Sequence, residues 1–260
     1  MAGRNVRQGF GATPADFYYS LPPITRLYAT SAVAATVAVS LGLVSPYTLM
    51  LHWPSVFKLQ VWRLLTNFVF LGGFSMKTVI QIIWILTYSK PLEAATYQFN
   101  PADYIFMLLV GMVSMLAATF IPFFNSPFLA SPLVFMLLYV WSREFPTNNV
   151  SIWGLFNVQA FYLPFCFLGL NVMLGGNWVA DLLGILAGHL YYFLKVLHPA
   201  AGGQDLLKTP AFLTRWVQQA GIGNPAVRPA APPGRQQAQA APAAPTGFRA
   251  FGGTGRRLNG

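Results

Sequence analysis

Apolar residues in this chain form long runs that no charged residue interrupts. One run extends from Leu27 to Leu43, another from about Tyr104 to Phe120, and a further run ends near Ser142. The stretch from Val150 to Ala180 carries no charged residue at all. Uncharged apolar runs of about 17 to 25 residues are typical of helices that cross a membrane. The pattern therefore predicts an all-α membrane protein.

Turn-forming residues divide these runs into six predicted spans. Gly175-Gly176-Asn177 splits the long uncharged stretch into a fifth span from about Ile152 to Leu174 and a sixth from about Trp178 to Leu194. The second span is short, because only twelve uncharged residues lie between Lys77 and Lys90. Such a helix would cover about 18 Å of a hydrocarbon core that is about 30 Å thick. We therefore expect it to include Lys77 near one end or to lie in a thinned bilayer.

Local sequence signals predict where several helices begin. Thr13 and Asp16 have the spacing of a capping box, which predicts a short helix before the first span. Asn100-Pro101 and Ser126-Pro127 each place proline just after an N-cap residue, as at the starts of the third and fourth spans. Thr209-Pro210 can start a further short helix, which Gly221 would end and whose apolar residues suit the membrane interface.

Composition agrees with a surface that lipid covers. Hydrophobic residues make up 55% of the 260 residues and charged residues only 8%, whereas soluble domains carry about 25% charged residues. The net charge of +10 does not predict nucleic-acid binding, because the basic residues lie in the end segments and beside apolar runs. The single cysteine, Cys166, excludes an internal disulfide and a thiolate metal cluster, and no metal or cofactor is expected.

The distribution of basic residues predicts the orientation in the membrane. With six spans, 13 of the 16 lysines and arginines fall at the two ends or in the even-numbered loops. Only Lys58, Arg63 and Lys77 fall on the other side. Since cytosolic loops carry the excess of Lys and Arg, both termini are expected in the cytosol.

Four segments follow from these patterns. They are a cytosolic N-terminal segment over residues 1–26, a membrane domain over 27–197, a juxtamembrane amphipathic segment over 198–222 and a tail over 223–260. Residues 224–247 contain eight alanines and six prolines and have no core-forming pattern. That composition predicts a disordered tail.

Asp181 is the residue most suggestive of function, because a carboxylate within a span costs about 2.5–3.5 kcal/mol on insertion scales. Such a group normally faces protein or water, although Asp181 could equally be an acid that the dipole of its helix stabilises near the N-terminus. Gly184 and Gly188 share its helix face and would let a neighbouring helix approach closely. Trp62-Arg63, after the first span, could be an interfacial anchor beside an extended Arg.

These features together resemble the rhomboid superfamily. In active rhomboid proteases a serine nucleophile flanked by glycines starts the fourth span, and the sixth span carries a histidine base in a His-x-x-Gly-x-x-x-Gly motif. Here the corresponding motif reads Asp181-x-x-Gly184-x-x-x-Gly188, and Ser131 stands near the nucleophile position without its glycines. A carboxylate is a poor general base for serine, because its pKa is far too low. His189 is adjacent in sequence but points away from the motif face.

The closer resemblance is to the derlin family, which is a family of inactive rhomboid-like proteins of endoplasmic-reticulum-associated degradation. It covers nearly the whole chain and rests on eight motifs: Leu21-Pro22-Pro23-Ile24-Thr25-Arg26, Leu43-Val44-Ser45-Pro46, Val61-Trp62-Arg63, Pro101-Ala102-Asp103-Tyr104, Leu138-Tyr139-Val140-Trp141, Tyr162-Leu163-Pro164, Gly188-His189-Leu190-Tyr191 and Thr209-Pro210-x-Phe212-Leu213-x-x-Trp216. It implies a six-helix rhomboid-like bundle in the endoplasmic reticulum membrane. It also implies a non-enzymatic role in moving misfolded proteins to the cytosol and a link to the unfolded protein response.

A last motif lies in the tail, where Phe251-Gly252-Gly253-Thr254-Gly255-Arg256 resembles the box with which derlins bind the valosin-containing AAA+ ATPase. The resemblance assigns that role to Phe251, Gly253, Gly255 and Arg256, whereas a simple glycine-rich end would have none. The other implied partners are a membrane ubiquitin-ligase complex, misfolded client proteins, lipid, and further copies or related chains in an oligomer. Two alternatives remain: an active intramembrane serine protease that uses Ser131, and a transporter with its site at Asp181.

Overall fold

The computed structural model describes residues 13–152, 154, 156–173 and 175–222, and the part that it describes is mostly helical. The α-helices are α1 (Pro14–Tyr19), α2 (Pro23–Ser40), α3 (Pro46–Leu49), α4 (Trp53–Val56), α5 (Arg63–Thr66), α6 (Met76–Trp84), α7 (Pro101–Ala118), α8 (Ala130–Glu144), α9 (Leu163–Met173), α10 (Trp178–Tyr192), α11 (His198–Ala200) and α12 (Ala211–Gln219). Strands β1 (Asn149–Ile152) and β2 (Phe156–Gln159) form an antiparallel hairpin. Short 3-10 turns lie at Pro122–Phe124 and Ala160–Tyr162.

Two of the predicted start signals, at Thr13 and at Asn100-Pro101, lie at helix starts. The Thr13 hydroxyl accepts a hydrogen bond from the Asp16 amide at 3.2 Å, and the Asp16 carboxylate accepts one from the Thr13 amide at 2.9 Å. The capping box is therefore present at α1. Helix α7 begins at Pro101 after Asn100, although the Asn100 side chain makes no capping hydrogen bond.

The helical run at the predicted second span, which begins with α6, is longer than its apolar stretch. Helix α6 continues without a break through two π-helical segments, Ile85–Ser89 and Leu92–Thr96, so the helical run includes both Lys77 and Lys90. The expectation that the helix includes Lys77 near one end is met, and the run extends beyond Lys90 to Thr96. Pro91 lies between the two π-helical segments, immediately before the second, and does not end the run.

The fifth span was predicted to begin near Ile152, and this is wrong. Asn149–Ile152 and Phe156–Gln159 form the β1–β2 hairpin, in which Val150 pairs with Val158 and Ser151 pairs with Asn157. Apolar and polar residues alternate along β1, which suits a strand rather than a helix. Helix α9 therefore begins only at Leu163 and has 11 residues, which corresponds to about 16 Å.

The fourth span also begins later than predicted, at Ala130 rather than after Ser126. The backbone before it is paired with the first loop instead: the Leu51 amide donates to the Pro127 carbonyl at 2.8 Å, and the Leu129 amide donates to the Asn67 carbonyl at 3.1 Å. Helix α8 is then the centre of the bundle, because nearly every residue from Ala130 to Ser142 is buried. Its most extensive packing partner is α10.

Within the described residues, two helical stretches are both long and apolar enough to span a membrane. They are Pro101–Ala118, with a mean hydropathy of 1.7, and Trp178–Ala200, with 1.4; the second combines α10, a π-helical segment at Phe193–Leu197, and α11. The apolar helix at Ala160–Met173 is shorter. The count of six spans therefore stays a prediction.

Candidate functional site

Asp181 lies in a polar cluster inside the apolar bundle. Its side chain is fully buried, and its carboxylate accepts hydrogen bonds from the Asn171 amide and, at 3.5 Å, from the Ser131 hydroxyl. The Gln81 side-chain amide donates to the Ser131 hydroxyl oxygen at 2.6 Å. The polar cluster, consisting of Gln81, Ser131, Asn171 and Asp181, thus joins four helices: α6, α8, α9 and α10.

A tight turn between α9 and α10 brings Asn171 and Asp181 together. Gly175 has a φ of 70°, a left-handed conformation that glycine adopts without steric cost, and the Gly176 amide bonds back to the Asn171 carbonyl at 2.8 Å. Asn177 then caps α10 by accepting from the Ala180 amide at 3.4 Å. Asp181 therefore stands in the first turn of α10, where the helix dipole favours a negative charge.

Gly184 and Gly188 lie where α10 packs against α8. A Cβ atom at Gly184 would come within 2.2 Å of the Pro132 carbonyl oxygen, and one at Gly188 within 3.0 Å of the Tyr139 ring. Real Cβ atoms essentially never approach another atom as closely as 2.2 Å. The glycines therefore allow the close contact between α10 and α8 that places Asp181 beside Ser131.

The polar cluster does not have the geometry of a serine–histidine dyad. His189 is exposed, and its Nδ1 bonds to the Tyr139 hydroxyl at 2.8 Å rather than to Ser131. The acidic group that contacts Ser131 among the described residues is Asp181, whose oxygen is 3.5 Å from the Ser131 hydroxyl. The accepting atom of a general base usually lies within about 2.6–3.2 Å of the atom that carries the proton, and the base has a pKa near the working pH. This arrangement offers Ser131 neither a close base nor an imidazole.

A cavity of about 350 Å³ adjoins the polar cluster. Its wall is mostly apolar and comes mainly from α6, α8 and α9: Met76, Lys77, Ile80, Gln81, Trp84, Phe135, Phe167, Leu170, Asn171 and Gly176. Gln81 is 2% exposed, and its side-chain carbonyl oxygen has no hydrogen-bond partner among the described residues. A buried acceptor without a partner is energetically costly, so the cavity offers a site where a donor group would be stabilised.

Trp62 and Arg63 belong to a different part of the molecule. Arg63 donates from Nη1 to the carbonyl oxygens of Tyr47 and Met50, at 2.6 and 3.0 Å, and from Nε to Gln60 at 2.7 Å. These bonds fold the first loop back on itself, while Trp62 is half exposed. The structure thus brings Asp181, Gly184 and Gly188 together but leaves the Trp-Arg pair outside the polar cluster.

Sequence reasoning missed Gln81, Asn171 and Glu93. Gln81 and Asn171 are polar residues within apolar stretches, and this was the sequence feature that could have marked them as site residues. Glu93 is 4% exposed and binds the first turn of α2, with its carboxylate 2.9 Å from the Ile24 amide and 2.7 Å from the Thr25 amide. The predicted tail residues Phe251, Gly253, Gly255 and Arg256 lie outside the described residues.

Comparison with known proteins identifies the family. A family model described as the Der1-like family matches residues 21–211. The chain belongs to the Der1-like family. The matched residues of this helical membrane family include the first loop, the polar cluster and both α10 glycines, and they end before the tail.

Relatives in the Der1-like family extend over most of the chain. "Derlin-1" of Arabidopsis thaliana is 48% identical over 215 residues, which are 82% of this chain and 81% of the relative. "Derlin-1" of Oryza sativa subsp. japonica is 44% identical over 95% of this chain and 99% of its own length. The "Probable derlin-2 homolog" of Dictyostelium discoideum is 39% identical over 76% of this chain and 80% of its own length. Membership supports a broad role in endoplasmic-reticulum-associated degradation, at the membrane of that organelle.

Proposed function

We propose that this chain is a catalytically inactive, rhomboid-like component of endoplasmic-reticulum-associated degradation that helps misfolded proteins reach the cytosol. The observation that carries the proposal is the polar cluster beside the cavity, inside an apolar bundle. Peptide N–H and C=O groups cost several kcal/mol each when they face lipid without partners. The free Gln81 oxygen and the polar side chains beside it would lower that cost for a client segment.

Helix length supports the same proposal. The 11 residues of α9 cover about 16 Å, and a hydrocarbon core is about 30 Å thick. A helix this short is accommodated by local thinning of the bilayer, which shortens the apolar path that a client must cross. The cavity lies beside α9, so the polar cluster and the thinned region would act at the same place.

The remaining parts of the proposal concern topology and partners. We propose six spans with both termini in the cytosol, because the basic residues divide in that way. The tail would then present its Phe251 box to the valosin-containing AAA+ ATPase, which supplies mechanical work. A membrane ubiquitin-ligase complex would mark the client. These partners come from the family resemblance and from the tail sequence.

Site-specific photo-crosslinking tests the role of the cavity. A crosslinking residue at Ile80 or Leu170 faces the cavity, and one at Val113, which is 64% exposed on α7, is the matched control. We expect a misfolded membrane client to crosslink at the two cavity positions during its degradation, and Gln81→Leu to reduce the yield there. Equal yields at all three positions would show that the cavity has no special role.

The contact between Ser131 and Asp181 keeps an intramembrane protease as a second candidate. We expect no proteolysis, because the base is too weak and too distant. Model clients should be incubated with wild-type protein and with Ser131→Ala, and fragments should be sought by mass spectrometry. A fragment that forms with wild type and not with Ser131→Ala would establish the protease instead.

A further inference from the structure

The short helix α12 has apolar residues on two adjacent faces, and only one of them is covered. Leu213 and Val217 are buried against Ala102, Ile105 and Phe106 of α7. Phe212 and Trp216, one position earlier in each turn, are 73% and 56% exposed. The polar residues Arg215, Gln218 and Gln219 are exposed around the rest of the helix. An exposed pair of large aromatic side chains requires a partner or an apolar environment.

Contacts with α7 fix the depth of α12. Helix α7 has 18 residues, which correspond to about 27 Å, so nearly all of it is needed to cross a core of about 30 Å. Ile105 and Phe106 lie in its second turn and are therefore at the boundary between headgroups and acyl chains. Leu213 and Val217 contact those residues, which puts Phe212 and Trp216 at the same level.

Polar contacts hold the segment before α12 in place. The Thr209 hydroxyl donates to the Asp103 carboxylate, and the Lys195 ammonium binds the Leu207 carbonyl at 2.9 Å and Asp205 at 3.2 Å. Asp103 belongs to α7, and Lys195 lies in the last part of the stretch Trp178–Ala200. The segment before α12 is therefore attached to the N-terminal end of Pro101–Ala118 and to the C-terminal part of Trp178–Ala200, the two stretches that are long and apolar enough to span a membrane.

We propose that Phe212 and Trp216 insert into the lipid leaflet that borders α12 and anchor this helix in the membrane interface. Leu109 and Val113 of α7 lie one and two turns beyond Ile105, are exposed, and face the hydrocarbon in a membrane-spanning α7. Tryptophan is enriched at membrane interfaces, and interfacial helices bury their apolar face about 5–10 Å deep. Lys208 and Arg215 are exposed and would meet the anionic headgroups of a cytosolic leaflet.

Depth-dependent fluorescence quenching tests the anchor on the full chain in phosphatidylcholine–phosphatidylserine vesicles. Cys166→Ala removes the native thiol, and a single cysteine at Phe212 or Trp216 then carries an environment-sensitive fluorophore. Gln218→Cys is the matched control on the exposed polar face of the same helix. Two quenchers are compared. One is a lipid with a spin label on its acyl chain close to the headgroup, and the other is iodide dissolved in the water.

We expect the lipid quencher to act several-fold more strongly at positions 212 and 216 than at position 218, and iodide to act in the reverse order. Two labelled positions guard against a local disturbance at either one. Iodide quenching at 212 and 216 that equals the quenching at 218 would overturn the proposal. Protection from both quenchers would also overturn it, because a protein, either a second copy or another partner, would then cover the pair.

Discussion

The carboxylate of Glu93 binds Thr25 twice, accepting from its backbone amide at 2.7 Å and from its hydroxyl at 2.8 Å. The first amides of a helix have no partner within the helix, and the residue before α2 is Pro22, whose side chain cannot cap them. Glu93 lies at the end of the helical run that begins with α6, and it therefore caps α2, the helix of the first predicted span. Ser89 and Tyr104 extend the contact, since Ser89 also bonds to Thr25 at 2.8 Å and to the Tyr104 hydroxyl.

Replacing Glu93 should destabilise the protein. Hydrogen bonds to charged groups contribute about 1.5–3 kcal/mol each, and Glu93→Leu would leave the Ile24 and Thr25 amides buried without an acceptor. We expect a lower thermal midpoint in detergent, with Glu93→Gln intermediate because its amide oxygen can still accept. Glu144→Gln is the control, because the Glu144 side chain makes no hydrogen bond within the described part of the chain. Equal midpoints for wild type and Glu93→Leu would contradict the capping role.

A methyl group at Gly184 should destabilise the protein more than one at Gly188. The Gly184 substituent would meet the Pro132 backbone carbonyl, which cannot move without shifting α8, whereas the Tyr139 ring beside Gly188 can give way. Overpacking costs about 1–3 kcal/mol. We expect faster turnover and a lower thermal midpoint for Gly184→Ala, a smaller change for Gly188→Ala, and none for Gly169→Ala, where the added atom meets open space. The reverse order would refute this account of the α8–α10 contact.

Both ends of the chain should be cytosolic. The 13-to-3 division of basic residues and the even number of predicted spans require it. Protease added to sealed microsomes should remove epitope tags from both termini, while a lumenal marker protein stays intact. Protection of either tag would exclude the six-span topology.

The tail box should bind the ATPase through Phe251. This residue is the sole large apolar side chain in the box, so it is the expected anchor in a pocket of the partner. Phe251→Ala should abolish recovery of the ATPase in a pull-down while membrane insertion is unchanged. Phe248→Ala is the matched control, since Phe248 has no Gly-x-Gly continuation and should matter less. Wild-type binding by Phe251→Ala would refute the assignment of the box.

Sequence patterns predicted the helix starts that depend on local chemistry, such as the Thr13 capping box and Pro101. They failed where tertiary contacts decide the outcome. The uncharged stretch stops before Lys90, but the helical run continues to Thr96 and brings Glu93 to α2. The uncharged residues from about Ile152 were assigned to the fifth span, although the alternation of Val150 and Ser151 just before them favours a strand.

The part of the candidate site that lies on a single helix was predictable from the sequence, and the part that depends on contacts between helices was not. The common face of Asp181, Gly184 and Gly188 follows from helical spacing alone. Its partners Gln81 and Asn171 could not be assigned, because their contacts depend on how four helices pack together. No local pattern specifies which polar residue of one helix will face a carboxylate on another.

The π-helical segments after α6 determine the direction in which the later side chains of this helical run point. Each residue of an α-helix turns the chain by about 100°, and a π turn absorbs an extra residue without passing that rotation on. Deleting one residue from Ile85–Ser89 would therefore convert the wide turn to an ordinary one and leave Glu93 facing Thr25, whereas deleting one from the α-helical turns of α6 would rotate Glu93 away by about 100°. A change of one residue in length is therefore tolerated at the π turn but not in the α-helical turns of α6, where it would separate Glu93 from the first turn of α2.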